Sequence, residues 1–158
     1  MLKFFSFICS PKKRNLSNID ATDFKDYTYE NHICYARVVS IYDGDTCRII
    51  FYHPLTKTKS KNNVIMKSVR LLGIDTPEIR TKDPEEKRKG FLAKEALLNL
   101  VDKASYKGLI KVKFFKDCKY GRPLVYLFDY NTKNKDTTFE NSINCILLKQ
   151  GHAIKYNL

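Results

Sequence analysis

An α+β fold, a five-stranded Greek-key β-barrel carrying two or so short packed helices, is what this sequence predicts, on three observations. The length of 158 residues suits one domain, and 43% hydrophobic with 13% aromatic residues can fill a core. Apolar residues come mostly in short β-branched and aromatic runs, and in two places they switch to helical spacing. The resulting order is three strands, a helix, two strands and a helix, which a five-stranded barrel of Greek-key type accommodates.

Each element has its own signal. Residues 1–32 are polar and non-periodic beyond their first few positions and are expected to form an arm, with the folded domain spanning 33–158. Residues 34–42 are rich in valine and tyrosine, and an Asp-Gly turn signal leads from them into a β-branched and aromatic run over 46–52, so a hairpin is expected. Residues 54–63, with Lys57, Lys59 and Lys61 among threonine, serine and asparagine, read as a flexible basic loop. A third strand is expected within 64–74. After Pro84, the residues Ala93, Ala96, Leu97, Leu100 and Val101 recur at the spacing of an amphipathic helix. Residues 109–115 and 123–128 read as two more strands. Residues 141–150 read as a second helix, with Ile143, Ile146 and Leu147 on one side and Gly151 as its stop. No internal repeat or low-complexity tract interrupts this order, which is compatible with a barrel of the oligonucleotide-binding (OB) type.

The formal charge of +12 attracts polyanions, nucleic acid first and an acidic membrane surface second. Five cysteines (Cys9, Cys34, Cys47, Cys118, Cys145) include no Cys-x-x-Cys pair and read as free thiols of a reducing compartment, which favours an intracellular location. A zinc site is excluded, because His32-Ile33-Cys34 has no second half at ligand spacing. The apolar start at Phe4, Phe5, Phe7 and Ile8 lacks a signal-peptide cleavage site and runs into Pro11-Lys12-Lys13-Arg14. Secretion and peripheral membrane association, the latter through acylation of Cys9, are the minor alternatives, and the basic run also reads as a nuclear address or a solvated tail.

Acidic turns in so basic a chain are the sharper clue. Asp45 follows a glycine at the hairpin turn, and Asp75 ends a strand before a stiffening Thr76-Pro77 step. Carboxylates on rigid strand ends suit a hard divalent cation that keeps water in its remaining positions, and calcium fits best. Alone, Asp43 and Asp45 read as ordinary turn residues, and it is the coincidence with Asp75 that points to a metal. Glu78 is near enough to Asp75 to accept a proton from a water or to orient it. Arg70 lies inside an apolar strand, where a guanidinium must be paired or face outward. Arg122, between Gly121 and Pro123, offers a second planar fork of donors, suited to the charge that develops on phosphoryl oxygens.

Four segments together resemble the staphylococcal nuclease (thermonuclease) family. They are Asp43-Gly44-Asp45-Thr46, Arg70-Leu71-Leu72-Gly73-Ile74-Asp75-Thr76-Pro77-Glu78, Lys119-Tyr120-Gly121-Arg122-Pro123-Leu124, and Asn144 through Leu147-Leu148-Lys149-Gln150-Gly151. The resemblance spans about residues 34–156 and implies an OB-type barrel. It implies a calcium-dependent nuclease acting on DNA and RNA, which cuts the bond to the 5′ oxygen and leaves 3′-phosphate ends. It further implies that Asp45 and Asp75 give side-chain oxygens to calcium and Thr76 its backbone carbonyl, with Asp43 behind them. Arg70, Glu78 and Arg122 would be the catalytic set, and Lys119 and Tyr120 would hold a terminal phosphate and its nucleotide. The family's bacterial representative continues into a third helix where this sequence stops at Leu158, so the stacking tyrosines of that region are expected to be only partly represented, by Tyr156. Single-stranded nucleic acid is the expected partner, and no stable protein partner is implied. The competing readings are a barrel that binds nucleic acid or protein without catalysis and a basic single-strand coat protein.

Overall fold

The structure is a computed structural model, and it describes residues 28–55 and 63–156. The expectations for the apolar start, Cys9, the Lys12-Lys13-Arg14 run and most of the 54–63 loop lie outside the described residues. Among the described residues seven strands and two α-helices follow one another as β1 (Ile33–Ile41), β2 (Thr46–Tyr52), β3 (Val64–Leu71), β4 (Ile74–Asp75), α1 (Pro84–Ala104), β5 (Ile110–Asp117), β6 (Pro123–Phe128), α2 (Ile143–Lys149) and β7 (Ile154–Lys155). Five of the strands close a barrel in the order β1-β2-β3-β6-β5, with β5 returning to β1. All of its pairings are antiparallel except β3 with β6, where Arg70 lies opposite Leu124. This closed mixed barrel with two helices is the OB-type α+β fold that the pattern predicts.

Period-2 alternation explains the barrel wall. Cys47, Ile49 and Phe51 of β2 and Ile110, Val112 and Phe114 of β5 point inward and are buried. β6 departs from alternation, because α2 covers its other face and nearly all of its residues are buried. At the mouth of the barrel Tyr29 joins the core against Phe51 and Phe114, with ring centroids 5.4 Å from each. The packed structure therefore takes in a residue that the polar composition had assigned to the arm.

Helix α1 starts where its sequence dictates: the Asp83 side chain accepts from the Glu85 amide at 2.9 Å, Pro84 occupies the first turn, and Glu85 and Glu86 complement the helix dipole. Its buried residues Gly90, Ala93, Leu97 and Val101 form the expected stripe, and Ala96 and Leu100 pack beside it. Helix α2 is capped by Ser142, whose hydroxyl accepts from the Cys145 amide. Ile143 and Leu147 are buried, but Ile146, expected on the same side, is 36% exposed; the buried stripe instead follows 143 and 147, one turn apart, with Asn144 beside them. The short pair of β4 and β7, in which Ile74 lies opposite Lys155, has no signal in the sequence reading.

Candidate active site

Three close approaches bring the candidate residues together. The turn after β1 folds back through hydrogen bonds from the Tyr42 and Asp43 amides to the Thr46 carbonyl, and the Asp43 carboxylate accepts from the Asp45 amide at 3.2 Å. The Asp45 carbonyl then accepts from the Leu71 amide at 2.7 Å, which ties the acidic turn to the end of β3. Gly44 makes this seat possible: a Cβ there would meet the Ala93 Cβ at 2.6 Å and the Thr76 Cγ2 at 2.8 Å. Gly90 does the same for α1, since a Cβ would meet the Pro77 carbonyl oxygen at 2.7 Å. Side-chain-free positions on the turn and on the helix therefore let Asp45, Thr76 and Glu78 share one end of the barrel.

Arg70 is the hub. Its Nη1 donates to Asp45 Oδ1 at 3.0 Å and its Nη2 lies 2.9 Å from Asp45 Oδ2, a two-pronged pairing. The same Nη2 also donates to Asp75 Oδ1. Because one nitrogen touches both carboxylates, the two stand close enough for a small cation to reach both. Asp45 is buried and Asp75 is partly open to solvent. Desolvation pushes the Asp45 carboxyl up to about 7, with Asp43 adding to the rise while Arg70 and the Thr46 hydroxyl oppose it. Burial also works against the charge on Arg70, but the pull of Asp45 and Asp75 outweighs it and leaves the guanidinium more firmly protonated than usual. Buried negative charge that one arginine compensates incompletely is the electrostatic setting that a divalent cation relieves.

A cleft of about 270 Å³ opens beside this hub, lined by Arg70, Asp75, Glu78, Arg122 and Tyr156 together with the turn of Cys118, Lys119 and Tyr120. That turn connects β5 to β6 and is closed by the Cys118 amide on the Arg122 carbonyl and the Gly121 amide on the Cys118 carbonyl, each at 2.8 Å. Every candidate with a catalytic or substrate role thus lines one cavity: Arg70, Glu78 and Arg122, and with them Lys119 and Tyr120. Tyr120 is 72% exposed. Asp43 does not line the cleft; its carboxylate accepts from the Asp45 amide within the turn.

Among the described residues no group of three or more His, Cys, Asp or Glu side chains forms a metal cage. The carboxylates that the Arg70 guanidinium draws together are Asp45 and Asp75, and the Glu78 carboxylate lines the cleft beside them. Such an open, all-oxygen set suits calcium, which completes its shell with water.

Two further residues belong to the cleft. Tyr156 is carried there by the pairing of β4 with β7: its amide bonds the Gly73 carbonyl at 3.1 Å and its ring centroid lies 5.9 Å from the Arg70 guanidinium carbon. Cys118 was noticed in the sequence only as a free thiol. Burial would raise it, but the Tyr120 and Arg122 amides and the Arg122 guanidinium prevail and lower it, whereas burial pushes the Cys34 and Cys47 thiols up to about 12. No sequence signal marks Cys118, because its surroundings come from the turn's backbone.

Comparison with known proteins identifies the family. Residues 68–158, more than half of the chain, match the family model described as "Staphylococcal nuclease homologue". The match covers Arg70, Asp75, Glu78 and Arg122, and Arg70 itself pairs with Asp45 of the preceding hairpin. A search of curated proteins found no match. A closed OB-type barrel, the matched segment and the cleft it carries lead to one assignment: the chain belongs to the staphylococcal nuclease homologue family.

Proposed function

We propose that this protein is a calcium-dependent, sugar-non-specific endonuclease that hydrolyses phosphodiesters of DNA and RNA and leaves 3′-phosphate ends. The observation that carries the reading is the meeting of Asp45 and Asp75 on Arg70 at the wall of a cleft that also holds Glu78 and Arg122. Calcium held by Asp45, Asp75 and the Thr76 carbonyl would polarise the phosphodiester and supply positive charge beside it.

The chain's own residues account for the remaining steps. Glu78, exposed at the cleft, accepts a proton from the attacking water as the new oxygen–phosphorus bond forms. The bond to the 5′ oxygen breaks, and that oxygen takes up a proton. Arg70 and Arg122, which both line the cleft, donate to the phosphoryl oxygens where charge accumulates, and loss of one such donor costs about 3–4 kcal/mol of barrier. Lys119 steadies a flanking phosphate. Tyr120 and Tyr156 offer ring faces to unpaired bases, so melted strands are cut faster than stable duplex.

One experiment tests the reading. Plasmid, melted DNA and a homopolymeric RNA are incubated with the protein in millimolar calcium, in magnesium and in chelator, with Glu78→Gln alongside. Shortened products that require calcium and fall at least about a hundredfold with Glu78→Gln are expected. Intact DNA and RNA in calcium would overturn it, and stoichiometric binding with a steep salt dependence and no turnover would assign a coat or binding module instead.

A further inference from the structure

The cleft is one end of a longer feature on the outside of the barrel. Val69 and Leu71 of β3 are buried, so by period-2 alternation Val64, Met66, Ser68 and Arg70 share the outward face. Their partners across the register on β2 are Tyr52, Ile50, Arg48 and Thr46. One outward row therefore runs from Arg70 at the cleft to Tyr52 at the far end of the strands, about 20 Å at 3.3 Å per residue. Arg48 is exposed along the way, and β1 sets Arg37 opposite Ile50.

At the far end lies a groove of about 330 Å³, whose lining includes Tyr35, Arg37, Ile50, Tyr52, Val64 and Leu109. The two tyrosines are 45% and 42% exposed. Tyr35 is held in place: its ring packs 4.7 Å from Tyr130, and the Lys111 ammonium lies 5.3 Å from its centroid. Two half-exposed tyrosines beside the Arg37 cation, with no carboxylate among the described residues that line the groove, make a surface for an unpaired base and its phosphate. A second copy of the chain would bring the same +12 charge to this surface, which disfavours it as the occupant.

We propose that this groove is a second nucleotide subsite. A single strand whose scissile phosphodiester lies in the cleft continues along the outward faces of β2 and β3, passes Arg48, stacks a base against Tyr35 and Tyr52, and sets a phosphate on Arg37. The direction of the strand rests on the nuclease reading, whereas the subsite itself is a binding claim that can be measured without turnover.

The chain contains no tryptophan, so Tyr52→Trp introduces a lone indole that still stacks. In the Glu78→Gln background with metal chelated, this variant is titrated with an oligothymidylate about twelve nucleotides long and with a trinucleotide. Saturable quenching by the longer strand and none by the trinucleotide is expected. Arg37→Gln and Tyr52→Ala, with unchanged circular dichroism, should weaken the longer strand at least about fivefold. An indole that stays silent while anisotropy reports bound oligonucleotide overturns the subsite. So does self-association, or binding of an apolar peptide, that Tyr52→Ala removes without changing oligonucleotide affinity. Wild-type cleavage with a silent indole leaves the nuclease reading standing and the subsite refuted; quenching without cleavage of any substrate does the reverse.

Discussion

The absence of a side chain at Gly44 decides how close two acidic segments can come. A Cβ would have to displace the Ala93 methyl and the Thr76 side chain, and Ala93 is fixed on a packed helix. Gly44→Ala should therefore lift the acidic turn from Thr76, destabilise the fold by about 1–3 kcal/mol as overpacking does, and depress cleavage more than stability alone explains. Denaturant unfolding and kcat measured on one preparation check this; a fully active, equally stable Gly44→Ala protein would show that the close approach has no role. At this scale the sequence was readable for chemistry and not for reasons. Asp45, Asp75, Glu78 and both arginines stand out by type and setting, and Arg70, expected either to be paired or to face outward, is paired. The steric task of Gly44 was hidden behind its Asp-Gly turn signal, because its constraint comes from a helix forty-odd residues away in sequence.

Among elements, those with a period were legible and those without were not. Most barrel strands and α1 repeat an apolar pattern and β6 is a continuous apolar run, but β4 and β7 have two residues apiece, too few for any periodicity. Yet that small pair delivers Tyr156 to the cleft. Helix α2 carries a second long-range device, the fully buried Asn144, which accepts from the Leu127 amide at 3.2 Å and donates to the Leu72 and Val125 carbonyls at 2.9 and 3.0 Å. It fastens the helix to β6 and to the turn between Arg70 and Asp75 at once. Asn144→Ala is expected to cost about 2–3 kcal/mol, since it strands buried polar groups rather than a surface contact. Urea unfolding measures it, and a loss under about 0.5 kcal/mol, the range of ordinary surface changes, would reduce Asn144 to a bystander. By contrast the exposed Glu85 and Arg88 pair on α1 is screened by solvent and is not expected to matter.

Taken whole, the molecule sets a small negative site within a chain of net charge +12. A positive field of this size attracts polyanions, and under the proposed function the buried Asp45 carboxylate would offset it for a divalent cation. If calcium binds between Asp45 and Asp75 of the folded chain and not to the unfolded one, it must stabilise the fold by linkage. At a hundredfold excess over its dissociation constant the gain is about 2.7 kcal/mol, which for a chain of this size raises the unfolding temperature by roughly 5–10 °C. Asp75→Asn, at a partly exposed position, should fold and lose most of that rise, because it removes one of the two charged ligands. Scanning calorimetry in calcium and in chelator, for both proteins, reads the effect without any nucleic acid present. Identical transitions for the wild-type chain in the two conditions would mean that Arg70 alone satisfies the carboxylates and that the site holds no calcium.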